Sequence, residues 1–140
     1  MAYCTLEDLK MLISETELAQ LISEAGEEPD PEVAAWAMAQ ASGEIDSYLA
    51  ERYILPLSQA PLQVQTLAAD MAIYHLYTRR SVAPRARRQK YEAAVAFLKE
   101  VAAGRAAVVG LAGEIPPASR QAPEMSAAGR LFSRDGQKDW

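Results

Sequence analysis

The sequence predicts an all-α fold, a small bundle of about four main helices, and three observations support this prediction. Apolar residues recur at helical spacing over long segments, with Pro31, Pro61 and Pro84 at their starts. Around Pro56 a short segment breaks this periodicity and is predicted to be extended. From residue 111 onward no sustained periodicity remains, which indicates an irregular C-terminal arm.

Length and composition indicate one globular domain of a soluble protein. The 140 residues leave little room for a second core, and 50% hydrophobic with 24% charged residues is ordinary for this class. No apolar run approaches the roughly 18 to 20 residues that cross a bilayer, and residues 1–8 lack the features of a signal peptide. The single cysteine, Cys4, excludes an internal disulfide and fits a reducing compartment. We expect it to be a plain small residue rather than a nucleophile.

Two short helices are predicted near the N-terminus. Thr5 is the expected N-cap of the first helix, with Asp8 in the favourable first turn. Ser14 and Glu17 have the spacing of a capping box, in which each side chain binds the backbone N–H of the other residue. This box introduces a second short helix over residues 18–22.

A long helix is predicted from Pro31 to about Glu51, because Asp30 is a strong N-cap and Pro31 suits the first helical position. Gln40 and Glu44 lie at the edge of its apolar stripe, so the middle of the stripe is less apolar than the ends. The stripe consists of Val33, Trp36, Ala37, Ala41, Ile45, Tyr48 and Leu49.

The next segments are an extended stretch and the expected central helix. Because Pro56 disfavours helical conformation at Leu55, residues 52–57 are predicted to run extended across the bundle surface rather than to pair in a sheet. The helix from Pro61 to about Thr78 leaves almost no polar face, so it is predicted to be the most buried element. Its apolar residues are Leu62, Val64, Leu67, Met71, Ile73, Leu76 and Tyr77.

The last predicted helix runs from Pro84 to about Gly104, a residue suited to ending a helix. Its apolar stripe is Tyr91, Ala94, Val95, Leu98, Val101 and Ala102. The chain therefore divides into a helical domain over residues 1–111 and an arm over residues 112–140, either flexible or ordered by a partner. The candidate anchors of this arm are Leu131, Phe132 and Trp140.

The sequence offers little that indicates enzyme chemistry. His75 is the only histidine, so a triad or a multi-histidine metal site lacks partners, and a hydrogen-bonded histidine in or near the core is the better interpretation. Asp70 in the apolar central helix is either a catalytic acid or a buried carboxylate held by Arg52, Arg79 or a tyrosine hydroxyl. We favour the structural interpretation, with Asp70 and Arg52 as buried polar residues. A small enzyme that uses Asp70 and His75 is the weaker alternative, and we assign no catalytic, cofactor-binding or metal-binding residue.

Charge is distributed unevenly along the chain, whose net charge is −5. Residues 1–32 carry nine acids against Lys10 alone, whereas residues 79–90 carry six basic residues and no acid. These two regions are either complementary surfaces for self-assembly or two solvated faces. Alternatively, the basic segment belongs to a small helical nucleic-acid-binding regulator, although the acidic pI argues against this. The candidate contacts for a partner or for DNA are Arg79, Arg80, Arg85, Arg87, Arg88 and Lys90.

Several segments together carry a family resemblance. They are Tyr3-Cys-Thr-Leu-Glu-Asp-Leu9, Glu44-Ile-Asp-Ser-Tyr-Leu-Ala-Glu-Arg-Tyr-Ile-Leu-Pro-Leu57, Ala69-Asp-Met-Ala-Ile-Tyr-His-Leu-Tyr77, Tyr91-Glu-Ala-Ala-Val-Ala-Phe-Leu-Lys-Glu-Val-Ala-Ala-Gly104 and Phe132-Ser-Arg134. Their order and spacing resemble the neck proteins of Mu-like phages and prophages. These in turn are similar to the head–tail connector, or adaptor, proteins of tailed phages.

The resemblance implies a structural subunit rather than an enzyme. Such a subunit forms a ring of about a dozen copies, docks to the portal protein and presents a platform for the tail or a tail-completion protein. DNA would pass through the channel without sequence-specific binding. The implied location is the head–tail junction of the virion, and the host cytoplasm during assembly, with no membrane involved. The family brings no catalytic residues, and any role for residues 79–90 rests on charge alone.

Overall fold

Five α-helices follow one another in the computed structural model, which describes residues 2–24 and 28–110. They are α1 (Leu6–Leu12), α2 (Glu15–Ile22), α3 (Pro31–Leu49), α4 (Leu62–Arg79) and α5 (Arg85–Ala102). These residues contain no strand, and one antiparallel bridge joins Ser23 to Pro29. The predicted all-α bundle is therefore confirmed. The predicted arm, with Leu131, Phe132 and Trp140, lies outside the described residues.

The first two helices begin where side-chain caps predict. The Thr5 hydroxyl accepts the Asp8 N–H at 3.3 Å, and the Asp8 carboxylate accepts the Thr5 N–H at 2.8 Å, so this capping box is complete. At α2 the Ser14 hydroxyl accepts the Glu17 N–H at 3.1 Å. The Glu17 carboxylate accepts a hydrogen bond from the Tyr77 hydroxyl of α4 instead of closing the box. The predicted second capping box is thus half formed, because a tertiary contact takes its acid.

Helix α4 is the centre of the bundle, as its sequence predicts. It packs against α1, α2, α3 and α5, while α3 and α5 also touch each other. The three long helices therefore enclose one continuous core. The residues of α4 that are buried in this core are Val64, Ala68, Ala69, Met71, Ala72, Ile73, Leu76 and Tyr77.

Small residues form the buried face of α3. Asp30 caps the helix by accepting the Glu32 N–H at 2.9 Å. Trp36 does not belong to this face: its side chain is 45% exposed, so its predicted place on the same stripe as Ala37 is wrong. Adjacent helical residues differ by about 100° in direction, and alanines allow the close helix approach that an indole would block. The buried residues of α3 are Ala34, Ala37, Ala41, Ser42, Ile45 and Leu49.

The loop between α3 and α4 is part of the core rather than a surface crossing. Tyr53 and Leu57 are each only 2% exposed, whereas Ile54 is 62% exposed. The Tyr53 hydroxyl accepts the Val108 N–H at 3.1 Å, and the Leu57 N–H donates to the Tyr3 hydroxyl at 3.3 Å. The expectation that this stretch lies across the surface is therefore wrong for two of its apolar residues, because they join the loop to both ends of the helical domain.

We expect Tyr3→Phe to lower the free energy of unfolding by about 1 to 2 kcal/mol. The Tyr3 hydroxyl donates to the Asp46 carboxylate while it accepts the Leu57 N–H, so the substitution leaves two part-buried groups without a partner. Burial and the Asp46 bond raise the pKa of Tyr3 to about 12, which keeps the phenol a donor at neutral pH. Urea denaturation measures the change.

The matched control is Tyr48→Phe, because the Tyr48 hydroxyl makes no hydrogen bond with the described residues. An equal loss of stability in the two variants would contradict the role assigned to the Tyr3 hydroxyl.

Candidate functional site

The predicted basic segment begins at the C-terminal end of α4, where its first two arginines bind the N-terminal region of the same chain. Arg79 forms an ion pair with Glu24. Arg80 donates to the backbone carbonyls of Gln20, at 2.7 Å, and of Ser23. Carbonyls in the last turn of a helix carry partial negative charge, so a guanidinium is favourable there. These two arginines therefore fasten the end of α2 to the end of α4.

A third arginine acts in the same way from α5. The Nη2 of Arg87 donates to the Leu12 carbonyl, the last residue of α1, at 2.8 Å. In contrast, Arg85, Arg88 and Lys90 are exposed and form no hydrogen bond or ion pair with any described residue. Of the six predicted contact residues, Arg79, Arg80 and Arg87 therefore make contacts within the chain, the charge of Lys90 acts on Asp70, and Arg85 and Arg88 form no hydrogen bond or ion pair with any described residue. That any of the six binds a partner or DNA stays a prediction.

The free arginines occupy an unfavourable place in the helix. Arg85, Arg87 and Arg88 lie in the first turn of α5, which contains no acid. The N-terminus of a helix carries partial positive charge, and a cation there costs about 0.3 to 1 kcal/mol at an exposed site. Two of these cations have no internal partner that offsets this cost. An acidic group from outside the chain would lower the free energy of this helix start.

Asp70 lacks the arginine partner that the sequence led us to expect. Its Oδ1 atom is buried and has no hydrogen-bond partner among the described residues. Arg52 donates instead to the Val101 carbonyl at 2.9 Å, near the C-terminal end of α5, and Arg79 pairs with Glu24. Neither predicted arginine binds Asp70, because the Val101 carbonyl binds one and the Glu24 carboxylate binds the other, and no tyrosine hydroxyl among the described residues donates to its Oδ1 atom.

Burial changes the pKa of Asp70. Burial raises the pKa of the Asp70 carboxyl, and the positive charges of Lys90 and Arg87 oppose this increase without cancelling it. A carboxylate oxygen that is buried without a hydrogen-bond donor is unfavourable in its charged form. The charged form of Asp70 is therefore less favourable in the folded chain than in water.

A polar cluster joins the three long helices, with Glu44 in the second half of α3, His75 near the end of α4 and Tyr91 in the first half of α5. Nε2 of His75 lies 3.0 Å from one carboxylate oxygen of Glu44, and the Tyr91 hydroxyl donates to the other oxygen. The Tyr74 ring stacks on the Tyr91 ring with centroids 4.2 Å apart. Burial, followed by the bond to Glu44, raises the pKa of Tyr91 well above its ordinary value. The prediction of a hydrogen-bonded histidine is confirmed, but the sequence did not identify its partners.

The described residues offer little for covalent or metal chemistry. Cys4 is buried, and this burial together with the nearby Asp8 carboxylate raises the pKa of its thiol to about 12. The reactive thiolate is therefore scarce at neutral pH. Within residues 2–24 and 28–110, no group of three or more His, Cys, Asp and Glu side chains could hold a metal ion. No helix in the same residues is long and apolar enough to cross a membrane.

An open cleft lies beside the ends of α3 and α4. It measures about 320 Å³ and is lined by Trp36 and Val33 of α3, by Asp30 and Glu32 at the start of that helix, and by Arg79 of α4. The half-exposed indole forms one wall, and carboxylates stand beside it. Aromatic rings and carboxylates both attract cations, so this arrangement suits an arginine or lysine side chain.

Comparison with known proteins places this bundle in a phage family. Residues 3–127 match the family described as Bacteriophage Mu, Gp36. The chain is 36% identical over 103 residues to the Mu-like prophage FluMu protein gp36 of Haemophilus influenzae, covering 73% of this chain and 71% of that protein. It is also 37% identical over 78 residues to gene product J of Escherichia phage Mu, covering 54% of this chain and 55% of that protein.

The chain is therefore a protein of Mu-like phages and prophages. It belongs to the Bacteriophage Mu Gp36 family. The resemblance predicted from the sequence segments is confirmed at the level of this family.

We expect Asp70→Asn to raise the melting temperature at pH 7. Because the folded-state pKa of Asp70 is raised, its contribution to stability is greatest below the ordinary value of 3.8 and is lost as pH rises through the folded-state pKa. The neutral amide removes this loss, so the difference between the two proteins should shrink as pH falls toward that value. Thermal melts recorded between pH 4 and 8 measure it, with the exposed Glu92→Gln as control. A lower melting temperature for Asp70→Asn at pH 7 would refute this account.

Proposed function

We propose that this chain is a structural, non-catalytic subunit of a phage head–tail connector, or neck, ring. It docks to the portal protein and presents a platform to which the tail attaches. The observation that carries the proposal is the family match over residues 3–127, which spans the whole described bundle. Such a subunit functions by binding its neighbours, so its function depends on surface residues rather than on a pocket.

The charges left free in the bundle support a ring. A closed ring requires two different, complementary surfaces on each subunit, since every copy contacts one neighbour with one surface and the next with the other. The basic start of α5, with Arg85 and Arg88, is one exposed charged surface. The opposite charge comes from acids of the N-terminal region that are exposed and form no ion pair with described residues, namely Glu15, Glu28 and Glu32.

The remaining parts of the proposal concern partners and place. The portal and a tail or tail-completion protein bind the two sides of the ring, and DNA passes through the channel without sequence-specific contacts. A net charge of −5 fits passage better than tight binding, because an acidic protein repels the phosphate backbone over most of its surface. The ring would be located at the head–tail junction of the virion, and in the host cytoplasm during assembly.

The isolated chain mixed with portal rings of the same phage should form particles whose mass increases by about a dozen subunits per portal. Light scattering at low and high protein concentration measures this mass, with each component alone as control. A chain that stays monomeric beside the portal would refute the connector role. Tight, salt-sensitive binding of duplex DNA by the same monomer would instead support a nucleic-acid-binding regulator.

Deleting residues 112–140 should weaken assembly and leave the melting temperature of the helical domain unchanged. The described contacts of the bundle lie within residues 2–110, whereas the candidate anchors Phe132 and Trp140 lie in the deleted part. A full-length variant with alanine at Leu131, Phe132 and Trp140 separates the anchors from chain length. Assembly at wild-type strength after the deletion would exclude a role for the arm.

A further inference from the structure

Trp36 is a large apolar side chain on the outside of α3. Its neighbours Ala34 and Ala37 are almost fully buried against the core, while the indole is 45% exposed. Leaving apolar area in water forgoes about 25 cal/mol for each Å² that burial would remove. Tryptophan and arginine are also the residues that most often dominate the binding energy of protein interfaces. The position of Trp36 is therefore that of an interface residue without its partner.

The residues that line the cleft around Trp36 favour the binding of a positively charged group. Glu32 is exposed, lines the cleft and forms no ion pair with any described residue. Asp30 supplies a second carboxylate beside the indole. Arg79, the one cation in the lining, already pairs with Glu24. A guanidinium that entered here could stack on the indole and bind a carboxylate at the same time, a combination to which arginine is better suited than lysine.

The same chain carries arginines that suit this cleft. Arg85 and Arg88 are exposed, have no partner among the described residues and lie at a helix start where their charge is unfavourable. A phosphate backbone could satisfy these arginines but not the carboxylates or the indole of the cleft. A second copy of the chain could satisfy all three together.

We propose that the Trp36 cleft of one copy binds Arg85 and Arg88, at the start of α5, of the next copy in the ring. This inference rests on the proposed connector role and specifies which surfaces meet. The contact is heterologous: each copy offers its cleft to one neighbour and its arginines to the other, so it can repeat around a closed ring. Its centre is an aromatic ring and a guanidinium, with Asp30 and Glu32 beside them.

Charge reversal tests this contact. Glu32→Arg alone, or Arg85→Glu with Arg88→Glu, should weaken ring formation on the portal at least about tenfold, and the three changes combined should restore it. The variant with Arg85→Glu and Arg88→Glu should have an unchanged or higher melting temperature, because acids at a helix start are favourable. Weaker assembly of this variant would therefore not result from unfolding. Trp36→Ala should weaken assembly to a similar extent without unfolding the bundle. Lys99→Glu, in the last turn of the same helix, is the control and should assemble normally.

Ring formation by all reversed variants at wild-type strength would overturn this contact and leave the connector role standing. If the reversed variants assemble weakly and the combined variant does not regain assembly, the proposed contact is overturned as well.

A second measurement does not depend on ring closure. A chain with Glu32→Cys is mixed with a chain with Arg88→Cys and treated with a short bismaleimide, which joins two thiols. The yield of the mixed dimer is compared with the yield obtained when the second chain carries Lys99→Cys instead. The native Cys4 is buried and does not compete. Preferential mixed dimers without rings would support the contact while refuting the ring. Yields equal to the control would refute the contact.

Discussion

The close packing of α3 on α4 is the constraint on which the rest of the structure depends. Alanines on both helices, Ala34, Ala37 and Ala41 on one and Ala68 and Ala72 on the other, are almost completely buried. Small side chains let two helix backbones approach closely, and larger ones fill the space around them. The same alanines determine which side of α3 faces outward, and so they place the indole of the following residue at the surface. The packing of these alanines therefore both forms the core and leaves Trp36 exposed.

The N-terminal helices depend on the rest of the bundle for their stability. Helices α1 and α2 contain 7 and 8 residues, well below the length at which an isolated helix persists in water. Arg80, directly after α4, and Arg87 of α5 bind the ends of these helices, and the acid of the half-formed capping box binds a tyrosine of α4. Of the acids in residues 1–32, Glu24 pairs with Arg79 of the basic segment, whereas Arg80 and Arg87 bind backbone carbonyls.

Local signals predicted the helices well, whereas long-range contacts escaped prediction. Caps at Thr5 and Asp30 and the nearly all-apolar α4 were recognisable because each involves residues a few positions apart. The carboxylate of Glu44, by contrast, binds side chains 31 and 47 positions away, and nothing in its neighbourhood along the chain indicates this. The candidate site shows the same division. Its six basic residues were evident from composition, but separating the internal from the free ones required the positions of the carbonyls that bind them.

The short segment after α5 packs beside the start of α4. The chain turns at Gly104, and Tyr53 and Gln63 then hold the backbone N–H groups of Val108 and Val109 beside the start of α4. Helix α5 has 18 residues and is therefore about 27 Å long, so residues 108 to 110 lie at the end of the bundle far from the basic helix start. The basic start of α5 and the segment around Val108 and Val109 therefore lie at opposite ends of the bundle. In the proposed ring, in which all copies have the same orientation, one face would present the first of these ends and the other face the second.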